Sequence, residues 1–228
     1  MMKPPTEEAA AAPITVYWDI KGCPVPDGYD PRRVDPCIKR YLRNLGYSGP
    51  ITITAVGVLS EVPKDILEAV STTGISLLTC AYDPTDMIDL SLDYFQLDPT
   101  PSNMMVISSL PDYVPPNFVN ENGRGGYYDI FPFPFDSTPE AAEYLWKYSL
   151  LGLADPSVLV EEDNCNDTSG ESVRWVCPAC HDLLGQGFEN FITHLSSPEH
   201  EHEVYIKKPS LPNLENGLTP VVRPFLKP

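Results

Sequence analysis

ITVYWDI, residues 14–20, is a continuous apolar run that carries one acid, Asp19, near its end. Its β-branched and aromatic residues favour extended backbone, so the run predicts a buried β-strand. Similar runs follow at ITITAVGVL (51–59), ISLLTC (75–80), NMMVIS (103–108) and, more weakly, YYDIF (127–131). Strands that are apolar throughout are covered on both faces, which is typical of a parallel sheet.

Helical segments separate these predicted strands. Asp30 and Pro31 are suited to open a helix as its N-cap and its first-turn proline, and Gly46 is suited to end it. Apolar residues recur between them at steps of three and four: Val34, Cys37, Ile38, Tyr41, Leu42 and Leu45. Further helices are predicted over 63–73, 83–97 and 138–146. The alternation of strand and helix predicts a three-layer α/β fold with a parallel sheet.

A metal-binding pattern lies nearer the C-terminal end, with the spacing C-x2-C-x13-H-x5-H. Its four candidate ligands are Cys177, Cys180, His194 and His200. Two thiolates from a tight turn and two imidazoles from a short helix are typical of a small structural zinc module. Pro198 has no N–H and loosens the helix, which lets the two histidines share one face. His202 is an alternative ligand to His200, and the competing interpretation is a reduced cysteine pair without metal.

The length of 228 residues leaves room for one medium domain and this zinc module. We expect a disordered N-terminus (1–12), the α/β domain (13–152), an acidic linker (153–172), a Cys2His2 zinc finger (173–203) and a proline-rich tail (204–228).

Composition limits the functional classes. The net charge of −17 is unfavourable for a nucleic-acid-binding protein, although it is unevenly spread: residues 153–172 carry six acids and no base. No apolar run approaches the length that spans a membrane. The cysteines outside the finger are scattered as free intracellular thiols would be, which predicts a nuclear or cytoplasmic protein: Cys23, Cys37, Cys80 and Cys165.

Several carboxylates are predicted near the carboxyl edge of the sheet, where open α/β folds bind their ligands. Asp19 ends the first strand, Asp86 and Asp89 follow the third, and Asp112 follows the fourth. Their oxygens would suit a hard divalent ion such as Mg²⁺. The alternative is that these acids cap helix N-termini.

The first predicted helix concentrates basic residues opposite its apolar stripe: Arg32, Arg33, Lys39, Arg40 and Arg43. A patch that follows RNA phosphates is one interpretation. A solvated helix face is the favoured one.

VYWDI (16–20) together with GCPVP (22–26) resembles the opening of the NYN domain, a branch of the PIN-like ribonuclease superfamily. GYSGPI (46–51) and MVISS (105–109) continue the resemblance. It is closest to the plant meiosis regulator and mRNA stability factor-like group, some members of which carry a Cys2His2 finger. The finger itself resembles the RNA-binding branch of Cys2His2 fingers through its His-Leu-x-Ser-x-x-His ending, residues 194–200.

The resemblance implies a metal-dependent endoribonuclease that uses Mg²⁺ or Mn²⁺. The catalytic residues that it implies are Asp19, Asp86 and Asp112. The family's strand-four motif is Ser-Gly-Asp-x-Asp-Phe, whereas this chain reads SSLPDY over 108–113, with Ser109 in place of glycine and Leu110 in place of the first acid. A second acid of the third helix falls at Ser91, Leu92 or Asp93, which the sequence leaves open.

We therefore expect an endoribonuclease-like protein with a weakened site that acts in RNA-linked regulation of gene expression. The alternative is a non-catalytic regulator that binds RNA or protein, with the finger and the acidic surface available to protein partners. The family association with peroxisomes is discounted, because the ending FLKP is not a peroxisomal signal.

Overall fold

The computed structural model describes residues 5–81, 102–108, 127–130, 146, 173–181 and 183–207. The predicted third helix (83–97), nearly all of the last helix (138–146) and the acidic linker lie outside the described residues. So do Asp86, Asp89, Asp112 and Cys165, the three alternatives for a further helix-three acid, and the tail beyond residue 207.

The described strands form one sheet. They are β1 (Ile14–Asp19), β2 (Ile51–Gly57), β3 (Ser76–Thr79), β4 (Ser102–Ile107), β5 (Tyr127–Ile130), β6 (Arg174–Cys177) and β7 (Leu183–Gln186). Their order is β5-β4-β1-β2-β3-β6-β7, and every neighbouring pair is parallel except β6 with β7. The prediction of a mostly parallel α/β sheet is confirmed, with the five predicted strands at its centre and one end.

The described helices are α1 (Glu7–Ala11), α2 (Val34–Asn44), α3 (Lys64–Ser71), α4 (Phe188–Leu195) and α5 (Pro198–Lys207). A 3-10 turn at Pro31–Arg33 precedes α2, and the Asp30 side chain accepts the backbone N–H of Arg32 at 3.0 Å. Gly46 has a φ of 97°, which only glycine adopts without strain. The predicted start and end of this helical segment are therefore confirmed.

The core lies between the sheet and the helices α2 and α3. On one face of β1, Ile14, Val16 and Trp18 are buried in a single apolar cluster with side chains of both helices. Their helical neighbours in that cluster include Ile38, Leu42, Leu67 and Val70. On the opposite face, Tyr17 and Asp19 are buried together with Val56, Met104 and Val106. Both faces of the central strands are thus covered, as the uninterrupted apolar runs predicted.

The structure differs from the expectation of a disordered N-terminus. Residues 7–11 form α1, and Ala9 and Ala12 are buried. The buried Asn103 amide donates to the carbonyls of Ala9 at 2.8 Å and Ala12 at 3.2 Å. Two further backbone N–H groups, from Ser48 and Gly49, donate to the Ala10 carbonyl. An alanine-rich segment too short to be a stable isolated helix is therefore held by tertiary hydrogen bonds.

The metal-ligand segment is part of this sheet. Strand β6 pairs in parallel with β3, with Leu77 opposite Trp175 and Leu78 opposite Val176. Strand β7 then pairs antiparallel with β6. The hairpin of the predicted finger therefore adds two strands to the α/β sheet, next to β3.

We expect Asn103→Ala to destabilise the chain by about 2 kcal/mol, because the buried carbonyls of Ala9 and Ala12 lose their donor. Urea unfolding measures this loss, and hydrogen exchange should show faster exchange in α1. Asn44→Ala, an exposed position in α2, is the control and should change stability by less than about 0.5 kcal/mol. Equal unfolding midpoints for both variants would contradict this account of α1.

Candidate functional site

Both candidate sites lie at the carboxyl edge of the sheet, where the parallel strands end. Strands β1, β2, β3, β4 and β6 run parallel, so their carboxyl ends meet there. Asp19 is the last residue of β1, and Cys177 is the last residue of β6. A single edge therefore carries a carboxylate and the first metal ligand.

The Asp19 carboxylate is buried, with 1% of the residue exposed, and hydrogen bonds fix its orientation. The backbone N–H of Gly22 donates to Oδ1 at 2.7 Å, and the Ser108 hydroxyl donates to Oδ2 at 3.0 Å. A Cβ atom at position 22 would overlap with the carboxylate, so only glycine fits there. The loop after β1 and the end of β4 thus hold one acid in a defined position at the predicted edge.

Two indole rings hold the loop that follows Asp19. The Nε1–H groups of Trp18 and Trp146 both donate to the Cys23 carbonyl, at 2.9 and 3.2 Å. The two rings meet edge to face with centroids 5.6 Å apart. Burial raises the pKa of the Cys23 thiol to about 12, and the negative charge of Asp19 adds to this effect. Cys23 is therefore a protonated packing residue at neutral pH, and it has no thiolate character for nucleophilic chemistry.

Among the three acids that the sequence suggested as catalytic, the structure places Asp19 alone. Asp86 and Asp112 lie outside the described residues, as do Ser109 and Leu110. The assembly of a carboxylate cage for Mg²⁺ or Mn²⁺ therefore stays a prediction. Gly22 and Ser108 were not singled out as functional residues, although both fall within stretches that resemble the NYN domain.

The four predicted zinc ligands come together in space. Cys177 ends β6, Cys180 ends the 3-10 turn after it, His194 lies on α4 and His200 lies on α5. One ligand atom from each of the four side chains lies within 4.8 Å of the others. This group could hold a metal ion such as zinc.

The distances fit a tetrahedral ion. Nδ1 of His200 lies 3.5 Å from the Sγ atoms of both Cys177 and Cys180. Zn–S and Zn–N bonds of ordinary length give a tetrahedral S···N edge of about 3.5 Å. Nε2 of His194 is buried without a hydrogen-bond partner among the described residues, as a nitrogen reserved for a metal would be.

Burial also sets the protonation states of these ligands. It lowers the pKa of both His194 and His200, so the imidazoles are neutral and able to bind a metal near neutral pH. Burial raises the pKa of the Cys177 thiol to about 12. Metal binding must therefore displace a proton from this thiol.

A helix break places the two histidines. Helix α4 ends at Leu195 and α5 begins at Pro198, as the missing N–H of proline predicted. The Ser197 hydroxyl accepts the backbone N–H of His200 at 3.1 Å and so caps the new helix. His202, the alternative ligand, is exposed on α5 and is not part of the metal-ligand group.

Lys207 closes the cysteine turn, which the sequence did not indicate. Its ammonium donates to the carbonyls of Pro178 at 3.2 Å and Ala179 at 2.6 Å. The last turn of α5 thereby fixes the backbone between Cys177 and Cys180. A lysine seven residues beyond the last ligand, His200, gives no sequence signal that could have predicted this contact.

The basic residues of the α2 segment are largely engaged within the domain. The Arg43 guanidinium donates to the carbonyls of Tyr47 at 3.0 Å and Gly49 at 2.9 Å. The others with local partners are Lys39 with Asp35 at 2.8 Å, Arg32 with Asp30 at 3.5 Å and Arg40 with the Cys37 sulfur at 3.4 Å. These contacts favour the interpretation of a structural and solvated helix face over a phosphate-binding patch.

None of the helices in the described part of the chain is long and apolar enough to cross a membrane.

Comparison with known proteins agrees with the geometry of the sheet. The family model described as the NYN domain matches residues 13–138, which is more than half of the chain. Among curated proteins, none shows a significant match to the chain. The matched segment contains β1 to β5, Asp19 and both of the groups that orient its carboxylate. The chain therefore belongs to the NYN domain family.

Proposed function

We propose that this chain is an endoribonuclease-like protein acting in RNA-linked regulation of gene expression, with a metal-dependent site built on Asp19, Asp86 and Asp112. The observation that supports this most directly is the buried Asp19 carboxylate, which Gly22 and Ser108 orient at the carboxyl edge of an NYN domain. Mg²⁺ or Mn²⁺, when bound, would neutralise phosphodiester charge and activate a water molecule. Within the family, we assign the chain to the plant meiosis regulator and mRNA stability factor-like group.

The hydrogen bonds of Asp19 are compatible with a role as a metal ligand. Each oxygen of an ionised carboxylate has two acceptor positions, so a bond from Gly22 or Ser108 does not exhaust it. These two donors restrict the rotation of the side chain. A ligand held in advance loses less conformational entropy when an ion binds.

The replacements at Ser109 and Leu110 support a weakened site. Leucine in place of an acid removes negative charge where the family pattern would place a ligand for a dication. This loss also motivates a second candidate function, in which the chain is a non-catalytic regulator that binds RNA or protein through its finger and acidic surface. Its location in either case would be intracellular, in the nucleus or the cytoplasm.

We further propose that Cys177, Cys180, His194 and His200 bind zinc as a structural Cys2His2 finger of the RNA-binding type. The 3.5 Å spacing of His200 Nδ1 from both sulfurs and the unpartnered Nε2 of His194 support this assignment. Bound zinc would supply a cross-link between the cysteine turn and the two helices.

We expect the wild-type chain to cleave RNA slowly with Mn²⁺ and Asp19→Asn to reduce the rate on the order of 100-fold, because the amide removes the anionic ligand. Cleavage of a mixed single- and double-stranded RNA set measures this. Asp27→Asn, an exposed acid in the same loop region, is the matched control and should retain the wild-type rate.

The pattern of results separates the candidate functions. Equal cleavage by wild type and Asp19→Asn would mean that the activity does not depend on this carboxylate. Salt-sensitive RNA binding without any cleavage would favour the non-catalytic regulator. If the chain neither cleaves nor binds RNA, recognition of a protein partner remains as its function.

For the finger, metal analysis of the purified chain should give one zinc per chain. Cys177→Ser should lose it, because a serine hydroxyl is a poor zinc ligand at neutral pH. Cys37→Ala changes a buried cysteine in α2, away from the ligand group, and should keep the zinc. A zinc content that does not fall in Cys177→Ser would exclude the proposed ligand set.

A further inference from the structure

The metal-ligand group and the NYN sheet share a strand. Cys177 is the last residue of β6, and β6 pairs with β3 through Leu77 opposite Trp175 and Leu78 opposite Val176. Ligand geometry at Cys177 and strand pairing at β3 therefore depend on the same short stretch of backbone.

Trp175 connects the pairing to the histidines. Its ring stacks on the imidazole of His194, with centroids 5.1 Å apart and planes 18° apart, and it packs against Phe191 at 5.6 Å. On the hairpin partner, Gly185 lies opposite Trp175, and a Cβ there would overlap with the indole ring. Trp175 is thus enclosed by β3, β7 and α4, and only 5% of the residue is exposed.

The apolar core is continuous across the junction. Phe191, Trp175 and Ala179 belong to the same buried cluster as Leu77 and Leu67 of the α/β domain. Polar contacts at the surface add little, because Lys64 lies 3.8 Å from Glu189 with both side chains more than half exposed. Shared apolar burial, rather than ion pairing, joins the two parts.

We propose that metal binding at the Cys2His2 group stabilises the pairing of β6 with β3, so that metal occupancy controls the stability of the β3 side of the NYN sheet. The proposal rests on the metal binding proposed above and does not depend on RNA cleavage. A unit of this size is rarely stable without its ion. When the helices α4 and α5 lose their cross-link, Trp175 loses its support, and β3 becomes an edge strand with the apolar Leu77 uncovered.

Linkage makes the effect reciprocal. If metal binding stabilises the pairing of β6 with β3, then the pairing must strengthen metal binding by the same factor. The proposal can therefore be tested from the metal side and from the sheet side independently.

From the metal side, the experiment is hydrogen exchange on the full chain, first with one equivalent of Zn²⁺ and then with a chelator. Amides of β3 should exchange on the order of tenfold faster without Zn²⁺, since opening at this edge becomes easier. In a separate melting experiment with free Zn²⁺ held at a thousand times its dissociation constant, chelation should lower the melting temperature by about 10 °C. Amides of α2, which carries none of the metal ligands, serve as the internal control and should change less.

Two results would overturn the proposal in distinguishable ways. If the chain binds no Zn²⁺, the proposed metal site is wrong, and the coupling fails with it. A chain that binds Zn²⁺, but whose β3 amides keep their protection while residues 183–207 exchange freely after chelation, has a finger that unfolds independently of the sheet.

From the sheet side, Leu77→Ala should weaken Zn²⁺ binding on the order of tenfold, because the cavity it leaves reduces the packing around Trp175. Competition with a chromophoric chelator measures this affinity. Leu42→Ala is the matched control, since Leu42 is a leucine of α2 that is equally buried in the same core. It should destabilise the fold but leave the zinc affinity of the folded chain unchanged. Equal zinc affinities for wild type and Leu77→Ala would contradict the coupling.

Discussion

Parallel strand pairing places the carboxyl ends of β1, β3 and β6 at one edge of the sheet, and both candidate sites depend on this arrangement. Three strand spacings separate β1 from β6, which amounts to roughly 14 Å. The Cys2His2 group is therefore a fixed neighbour of the Asp19 carboxylate along the edge. A finger on a free linker would have no defined distance from that carboxylate.

Close backbone approach is what allows each site to form. At position 22 the chain turns so tightly after β1 that its N–H reaches the Asp19 carboxylate, and any side chain would displace the acid. At position 185 the hairpin passes directly over Trp175, whose indole then reaches the imidazole of His194. In both places a glycine allows an aromatic or acidic side chain to occupy space that a Cβ would fill. Substitutions at these two glycines would disturb the sites without replacing a proposed ligand.

Local patterns in the sequence predicted the helices and strands better than they predicted which of these elements contact one another. The apolar runs gave the strands β1 to β5, and the spacing of apolar residues between Asp30 and Gly46 gave α2, because burial periodicity is a property of neighbouring residues. The Cys/His spacing likewise gave the ligand group, and Pro198 gave the break between its two histidines. The pairing of β6 with β3 was not predictable in this way, since it joins segments almost a hundred residues apart and leaves no periodic trace. The same holds for Asn103, whose buried amide orders α1 from a distance in sequence, and for Ser108 on Asp19.

The charges near Asp19 at the carboxyl edge of the sheet determine how the proposed RNA binding could occur in an acidic protein. The field at the end of β1 is negative enough to add to the burial that raises the pKa of Cys23. Nearby, Lys21 is paired with Glu61, and Lys39 and Arg43 of α2 have local partners, so these three cations are engaged within the domain. In the proposed function, the negative charge of Asp19 would repel a phosphate in the absence of an ion, whereas a bound dication would present positive charge to the phosphate. If the proposed site binds both, metal should strengthen RNA binding. Leu110, which stands where the family pattern has an acid, would then weaken both, because a weaker hold on the ion leaves less positive charge for the phosphate.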